Sequence, residues 1–176
     1  MKKLAALAIL VIALSSSALH AQAPGYKEYY NPKLNFRFTY PQDWTVKDLK
    51  KGPAVLYLIA PADPGSNVRS SIYIFRQPLS PAANLTAWGE AQVPSLKNQF
   101  GNIEVITSGA TTQNGKEAYS YNFSGTQNGS PVTVMRSSIV EGTDVITTML
   151  IADPAKLAAL APAIQSITSS LKTPAN

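Results

Sequence analysis

The sequence predicts an α+β domain in which helices flank a central antiparallel β-sheet. Several short segments alternate apolar and polar residues, a pattern typical of strands that bury one face. Two segments, one near the middle and one at the C-terminal end, instead repeat apolar residues at helical spacing. Asn-Gly pairs separate consecutive strand segments and predict tight antiparallel hairpins. Runs of such strands with separate helices are typical of the α+β class.

The first predicted strand, residues 35–40, alternates strictly and places Phe36, Phe38 and Tyr40 on one face. Pro41 lacks a backbone N–H and is therefore expected to end this strand. We expect the aromatic side chains to lie in the core, where each would contribute about 1.5–3 kcal/mol through burial.

Further strands are predicted at residues 44–46, 54–60 and 68–75. The second of these is a nearly continuous apolar run, which predicts a strand buried on both faces of the sheet. Residues 22–27 and 173–176 are predicted to be loose ends.

The middle helix is predicted to follow Asn84, whose side chain can cap the first turn. Pro94 lies inside the helical pattern and is expected to kink or divide the helix. The apolar residues at helical spacing are Leu85, Trp88, Leu96 and Phe100.

Consecutive strands joined by tight turns are predicted after this helix. The strands cover residues 103–112, 117–124, 132–140 and 144–152, and Asn114-Gly115 and Asn128-Gly129 mark the first two turns. Together they are expected to form an antiparallel meander.

The last helix is predicted from a cap at Asp153, a proline at Pro154 and an apolar stripe that packs on the sheet. The stripe consists of Leu157, Leu160, Ile164, Ile167 and Leu171. Pro162 falls within it, so we expect the helix either to bend there or to begin later.

Residues 1–23 are predicted to be an export signal, followed by a single domain over residues 29–171. Two lysines precede an apolar run and then a stretch of small residues, with cleavage expected after Ala21 or Ala23. The apolar run is shorter than the roughly 20 residues that a membrane-spanning helix needs. No cysteine follows it, so we expect a soluble periplasmic or extracellular protein and not a lipoprotein.

Histidine and cysteine chemistry is excluded from the expected mature chain, because the sequence has no cysteine and its one histidine, His20, lies in the export signal. Ser-His-Asp triads and histidine-containing zinc sites are excluded with it. Glu141 and Asp144 are the closest acidic pair beside a turn, where short acidic residues are usually solvated. We therefore predict a protein that is not an enzyme and uses no cofactor.

Five basic residues are candidates for contact with a partner: Arg37, Lys47, Lys50, Lys51 and Arg136. The three lysines form the densest basic group and suit weak peripheral contact with anionic lipid or with an acidic partner. Arg136 lies in the middle of a predicted strand, and if it is buried it needs a carboxylate partner or a ligand. The charge is too diffuse to predict nucleic-acid binding.

The aromatic opening of the domain resembles that of PsbP-like domains. Tyr-Tyr-Asn-Pro at residues 29–32 precedes the first strand, which runs into a Tyr-Pro-x-x-Trp motif at residues 40–44. The order of elements over residues 29–171 also matches that family. The residues that carry the fold signature are Phe36, Phe38, Tyr40, Pro41 and Trp44.

The resemblance implies a helix-flanked antiparallel sheet and a role without catalysis. Members of the family include an extrinsic subunit of photosystem II that helps to retain calcium and chloride, and a yeast protein that binds the GTPase Ran. We therefore predict an accessory or binding subunit of an envelope or photosystem II-type complex, with a protein partner in the envelope. The alternative is a periplasmic carrier of a small molecule or calcium.

Overall fold

The computed structural model describes residues 25–80 and 84–172. The predicted export signal lies outside these residues. The strands are β1 (Tyr26–Asn31), β2 (Phe36–Pro41), β3 (Thr45–Asp48), β4 (Ala54–Ile59), β5 (Ser71–Pro78), β6 (Gly101–Gln113), β7 (Lys116–Gln127), β8 (Ser130–Glu141) and β9 (Asp144–Ala152). The α-helices are α1 (Leu85–Ala91), α2 (Val93–Gln99) and α3 (Leu157–Ser170), and a 3-10 turn at Pro154–Lys156 precedes α3.

Seven strands form one antiparallel sheet in the order β3-β4-β5-β9-β8-β7-β6, and β1 and β2 form a separate hairpin. Strands β6 to β9 form the predicted meander, and β9 then pairs with β5 from Ser71 opposite Ile151 to Pro78 opposite Asp144. The predicted α+β class is confirmed.

Two turns of the meander have the backbone that a type I′ hairpin requires. Asn114 and Gly115 have φ of 52° and 76°, and Asn128 and Gly129 have φ of 52° and 80°. Both central residues of a type I′ turn need positive φ, which asparagine and glycine tolerate best. The Asn-Gly pairs therefore fix the register of β6 against β7 and of β7 against β8 next to each turn.

One face of the sheet is covered by the β1–β2 hairpin and α3. Phe36, Phe38 and Trp44 are buried there with Ile167 of α3, as the aromatic signature predicted, whereas Tyr40 and Pro41 of the signature are half-buried. Polar contacts join the two covering elements: Thr39 in β2 lies 2.8 Å from the Ser166 hydroxyl of α3, and its backbone N–H donates to Ser170 Oγ at 2.8 Å.

The opposite face carries α1 and α2, which pack on β6, β7 and β8. Pro94 lies in the first turn of α2, so it divides the middle helix as expected. Within the described residues, no helix is long and apolar enough to cross a membrane.

Strand β4 corrects one prediction, because it is not buried on both faces. Leu56 and Leu58 are fully buried, but Val55 and Tyr57 are half-buried. The two short helices lie over the other half of that face, so they leave this part of β4 partly open.

Two further corrections concern strand limits. The segment 68–70, predicted as strand, is a loop in which Ser66 Oγ accepts a hydrogen bond from the Val68 N–H at 3.1 Å, and β5 begins at Ser71. Tyr26 and Lys27, predicted as a loose end, belong to β1 because they pair with Pro41 and Tyr40 of β2.

The last helix begins after Pro154, the first helical position that the sequence predicts, but Pro162 does not delay its start, because this proline lies inside α3. Asp153 caps the 3-10 turn by accepting the Ala155 N–H at 2.9 Å, and α3 then begins at Leu157. It passes through Pro162 and ends before Leu171.

Candidate functional site

Arg136 is the one charged residue among the buried side chains of the described part of the chain, with 8% of its surface exposed. It lies in β8 between Tyr121 of β7 and Met149 of β9, which are its direct neighbours in register. Strand side chains alternate between faces. Arg136 therefore shares its face with Val132 and Val134, both fully buried.

Helix α1 completes the site because it approaches the sheet unusually closely. The Asn84 side chain accepts a hydrogen bond from the Ala87 N–H at 2.7 Å and fixes the start of the helix. A Cβ atom at Gly89 would lie 2.2 Å from the Tyr119 ring, so only glycine permits this distance. As a result the Trp88 ring lies over the guanidinium of Arg136, 5.3 Å from Cζ to the ring centroid, as a cation–π contact.

No carboxylate of the described residues pairs with Arg136. The ion pairs in these residues join Arg37 to Glu28, Arg76 to Asp144, Lys116 to Glu141 and Lys156 to Asp63. The hydrogen bond that Arg136 donates comes from its backbone N–H, to Asn122 Oδ1 at 3.2 Å. No buried side-chain nitrogen or oxygen in this part of the chain lacks a partner. The guanidinium nitrogens must therefore keep contact with solvent.

Burial lowers the pKa of Arg136 to about 10, and the neighbouring Tyr119 opposes part of this shift. The guanidinium is still charged at neutral pH. Its charge is largely removed from water without a carboxylate to compensate it, a situation that costs free energy until an anion binds.

The pKa of the Tyr119 hydroxyl is raised, first by burial and then by the nearby carboxylate of Glu90. Tyr119 therefore remains a neutral O–H donor at physiological pH. We define the Arg136 site as Arg136, Trp88, Tyr119 and Tyr121. Its polar side-chain groups are a fixed cation, an indole N–H and two phenols, which together suit recognition of a carboxylate or phosphate.

The other predicted contact residues lie elsewhere. Arg37 is on the β1–β2 hairpin, where its Nε pairs with Glu28 at 3.0 Å and its Cζ lies 5.1 Å from the centroid of the Tyr30 ring. Lys47 is in the edge strand β3, and Lys50 and Lys51 follow in the exposed loop. The structure therefore does not bring the five basic residues together.

The acidic pair beside the third turn is neutralised by two separate cations. Asp144 accepts from Arg76 Nε at 2.6 Å, and Glu141 pairs with Lys116. Residues 25–80 and 84–172 contain no group of three or more histidine, cysteine, aspartate or glutamate side chains that could hold a metal ion.

Sequence reasoning singled out Arg136, placed Trp88 only among the apolar residues of the middle helix, and predicted no role in a site for the tyrosines of β7. Two signals point to the site. Arg136 follows Val132 and Val134 at two-residue spacing in an alternating strand, which places the three side chains on one face and predicts that the arginine points inward. Gly89, inside a predicted helix and next to Trp88, is typical of a close approach to another element.

No protein-family model matches the sequence, and no curated protein matches it. Solved structures do match. The chain is 14% identical to cyanobacterial PsbP (CyanoP) of Synechocystis sp. PCC 6803, with a TM-score of 0.65 over 85% of this chain and 93% of that one.

Two other matches have similar coverage. LpqN of Mycobacterium tuberculosis, involved in cell envelope biogenesis, is 18% identical with a TM-score of 0.58 over 85% of this chain and 91% of that one. The Ran-binding protein Mog1p of Saccharomyces cerevisiae is 13% identical with a TM-score of 0.56 over 84% of this chain and 95% of that one. Identities at this level show the fold alone, and the fold is PsbP-like.

Proposed function

We propose that this chain is an exported, non-catalytic binding domain whose Arg136 site holds an acidic group of a protein partner in the envelope. The observation that carries the proposal is a buried guanidinium with no carboxylate partner among the described residues. A methionine at this position would bury a similar apolar stem without the charge. An arginine here therefore serves binding better than folding.

The comparisons support this proposal at the level of protein class. Mog1p is described as Ran-binding, and LpqN as involved in cell envelope biogenesis. Together with the export signal predicted at residues 1–23, these descriptions favour an envelope partner. A photosystem II-type complex is the narrower form of the same proposal, and it applies if the host is photosynthetic.

The absence of catalysis is proposed from the chemistry of the site. A raised pKa makes Tyr119 a poor base, and the charge of Arg136 is fixed at neutral pH. Glu141 and Asp144 are each held by a cation, which removes them as an acid–base pair. The proposed binding unit is the single domain over residues 29–171.

The test is recovery of one complex from the host envelope by the mature chain, with mild cross-linking and mass spectrometry. Three forms are compared: the native chain, Arg136→Met and Arg37→Met. Removing one partner of a buried charge contact costs about 2–5 kcal/mol, so Arg136→Met is expected to recover at least about tenfold less of the complex. Arg37→Met removes the other arginine among the predicted contact residues. Because its charge is exposed to water and already paired with Glu28, this variant is expected to recover as much as the native chain.

Equal recovery by all three forms would show that Arg136 does not hold the partner. Failure of the native chain to enrich any complex would overturn the proposed function as a whole. Far-UV circular dichroism of each form establishes that the variants are folded before they are compared.

A further inference from the structure

A groove lies on the sheet face opposite the Arg136 site, beside α3. Helix α3 and the β1–β2 hairpin cover only part of this face. Beyond α3, strands β7 and β8 are open, and Met135 of β8 is 41% exposed. Ile164 and Thr168 of α3 form one wall of the groove, which has a volume of about 270 Å³.

The lining of the groove combines methyl groups with uncharged polar side chains. The apolar side chains are Ile72, Met135, Leu150 and Ile164, and the polar ones are Gln113, Ser120, Asn122, Ser137, Thr148 and Thr168. Arg136 also borders the groove, but its guanidinium lies on the other face against Trp88. The groove is therefore lined without a charged group.

Some of these polar side chains are already fixed by one another. Ser137 Oγ donates to Gln113 Oε1, and Asn122 Nδ2 donates to Thr107 Oγ1 at 2.9 Å. Asn122 Oδ1 also accepts the Arg136 N–H. These bonds hold the sheet side of the groove in one arrangement, which favours binding because less freedom is lost.

Thr148 has no such partner among the residues that the structure describes. It is 7% exposed, in β9 between Ile74 of β5 and Ser137 of β8. Since no buried polar side-chain atom in this part of the chain is unsatisfied, the Thr148 hydroxyl must contact solvent. It does so through the groove that it lines. A nearly buried hydroxyl without a partner, at the base of a methyl-lined groove, is the feature of a ligand site.

We propose that this groove binds a small uncharged amphiphile, which hydrogen-bonds to Thr148 through a hydroxyl or amide and lies against Ile164, Leu150 and Met135. An ionised ligand would be desolvated without a counter-charge, which disfavours it. The volume is just below the range of typical small-molecule pockets, so one small molecule fits and a macromolecular segment does not. The site lies on the opposite face from Arg136 and is independent of the proposed partner contact.

The chain provides a reporter for each face. Of its three methionines, Met135 lines the groove and Met149 lies beside Arg136 on the other face. The mature chain with ¹³C-labelled methionine methyls is titrated with 1-hexanol, and in parallel with hexanoate and hexylammonium, which share the chain length but carry charge. We expect hexanol to shift the Met135 signal saturably, to leave Met149 unchanged, and to bind at least about tenfold tighter than either ion.

Thr148→Val keeps the shape and removes the hydroxyl. It is expected to weaken hexanol binding about three- to tenfold, the effect of losing one hydrogen bond. Thr133→Val is the matched control: Thr133 is also buried in a strand of the sheet but does not line the groove, and its substitution should leave binding unchanged. The titration uses the purified chain alone, so its result does not depend on the envelope partner.

The proposal is overturned by a linear, unsaturable shift, by equal shifts of Met135 and Met149, or by equal binding of hexanol and the two ions. It is also overturned if Thr148→Val binds hexanol as tightly as the native chain.

Discussion

At the scale of single residues, Arg136 is expected to destabilise the fold that contains it. Its charge is mostly buried, and the compensation that the structure shows is the Trp88 ring, which contributes about 0.5–2 kcal/mol. We expect Arg136→Met to raise the free energy of unfolding by about 1–3 kcal/mol, because methionine fills the space without the desolvation cost. Urea denaturation monitored by circular dichroism measures this change.

Arg37→Met is the control for the loss of an arginine, since its ion pair with Glu28 is exposed on both sides. An exposed pair contributes at most about 1 kcal/mol, so this variant should be neutral or slightly less stable. If Arg136→Met proved less stable than the native chain, the guanidinium would have to be compensated within the folded protein, and the argument for an external anion would fail.

The raised pKa of Tyr73 predicts that the folded protein loses stability at alkaline pH. Burial, followed by the neighbouring Tyr57, raises the pKa of Tyr73 from 10.0 to about 12. The unfolded chain therefore loses this proton near pH 10, whereas the folded chain keeps it. The contribution of Tyr73 to the free energy of unfolding is thus fully present below pH 10 and is lost as the pH rises through 12.

The measurement compares urea denaturation of the native chain and Tyr73→Phe at about pH 9 and about pH 11. The native chain should lose more stability than Tyr73→Phe over this interval. The comparison within the same interval cancels the contribution of Arg136, whose lowered pKa acts in the opposite direction. Equal losses would show that Tyr73 titrates normally in the folded protein.

At the scale of elements, the close packing of α1 on β7 depends on Gly89. Alanine there gains up to about 1 kcal/mol of helix propensity, but its Cβ would lie 2.2 Å from the Tyr119 ring. We expect the clash to dominate, so that Gly89→Ala loses about 1–3 kcal/mol of stability and moves Trp88 away from Arg136. Urea denaturation gives the first quantity, and a red shift of the Trp88 emission, recorded in a Trp44→Phe background, reports the second.

The double variant Gly89→Ala/Tyr119→Leu removes the ring that the new Cβ meets. If the clash is the cause, Gly89→Ala should destabilise the Tyr119→Leu protein much less than the native one. The same loss in both backgrounds would place the effect in the helix itself.

Elements held by local chemistry could be predicted from the sequence, and those held by distant contacts could not. The hairpins at Asn114-Gly115 and Asn128-Gly129, and the division of the middle helix at Pro94, follow from backbone preferences of the residues themselves. Strand β1 was missed because its pattern is weak and its pairing with β2 defines it.

The Arg136 site, too, could be predicted only in the part that follows from local sequence. The alternation of residues along β8 indicates that Arg136 points inward. The position of Trp88 over it depends on how α1 crosses the sheet, which no local pattern specifies. The α3 groove depends in the same way on how far α3 and the β1–β2 hairpin extend over the sheet.

At the scale of the whole molecule, strand β9 joins the two halves of the chain. It pairs with β5 on one side and with β8 on the other, so the sheet order β3-β4-β5-β9-β8-β7-β6 inserts the last strand into the middle. The hydrophobic core on the α3 face combines Trp44 and Phe38 from the first half with Ile146 and Ile167 from the second. Neither half can bury its apolar residues alone, which predicts a single cooperative unit.

The two tryptophans test this prediction, because Trp44 lies in the core on the α3 face and Trp88, in α1, packs against the core on the other face. In Trp88→Phe the fluorescence reports on Trp44, and in Trp44→Phe it reports on Trp88. Within each variant, the fluorescence transition in urea is expected to coincide with the transition in far-UV circular dichroism, since loss of β9 from either side would unfold the whole sheet. A fluorescence midpoint displaced from the circular dichroism midpoint in either variant would show that the two faces unfold separately, and residues 29–171 would then not form a single domain.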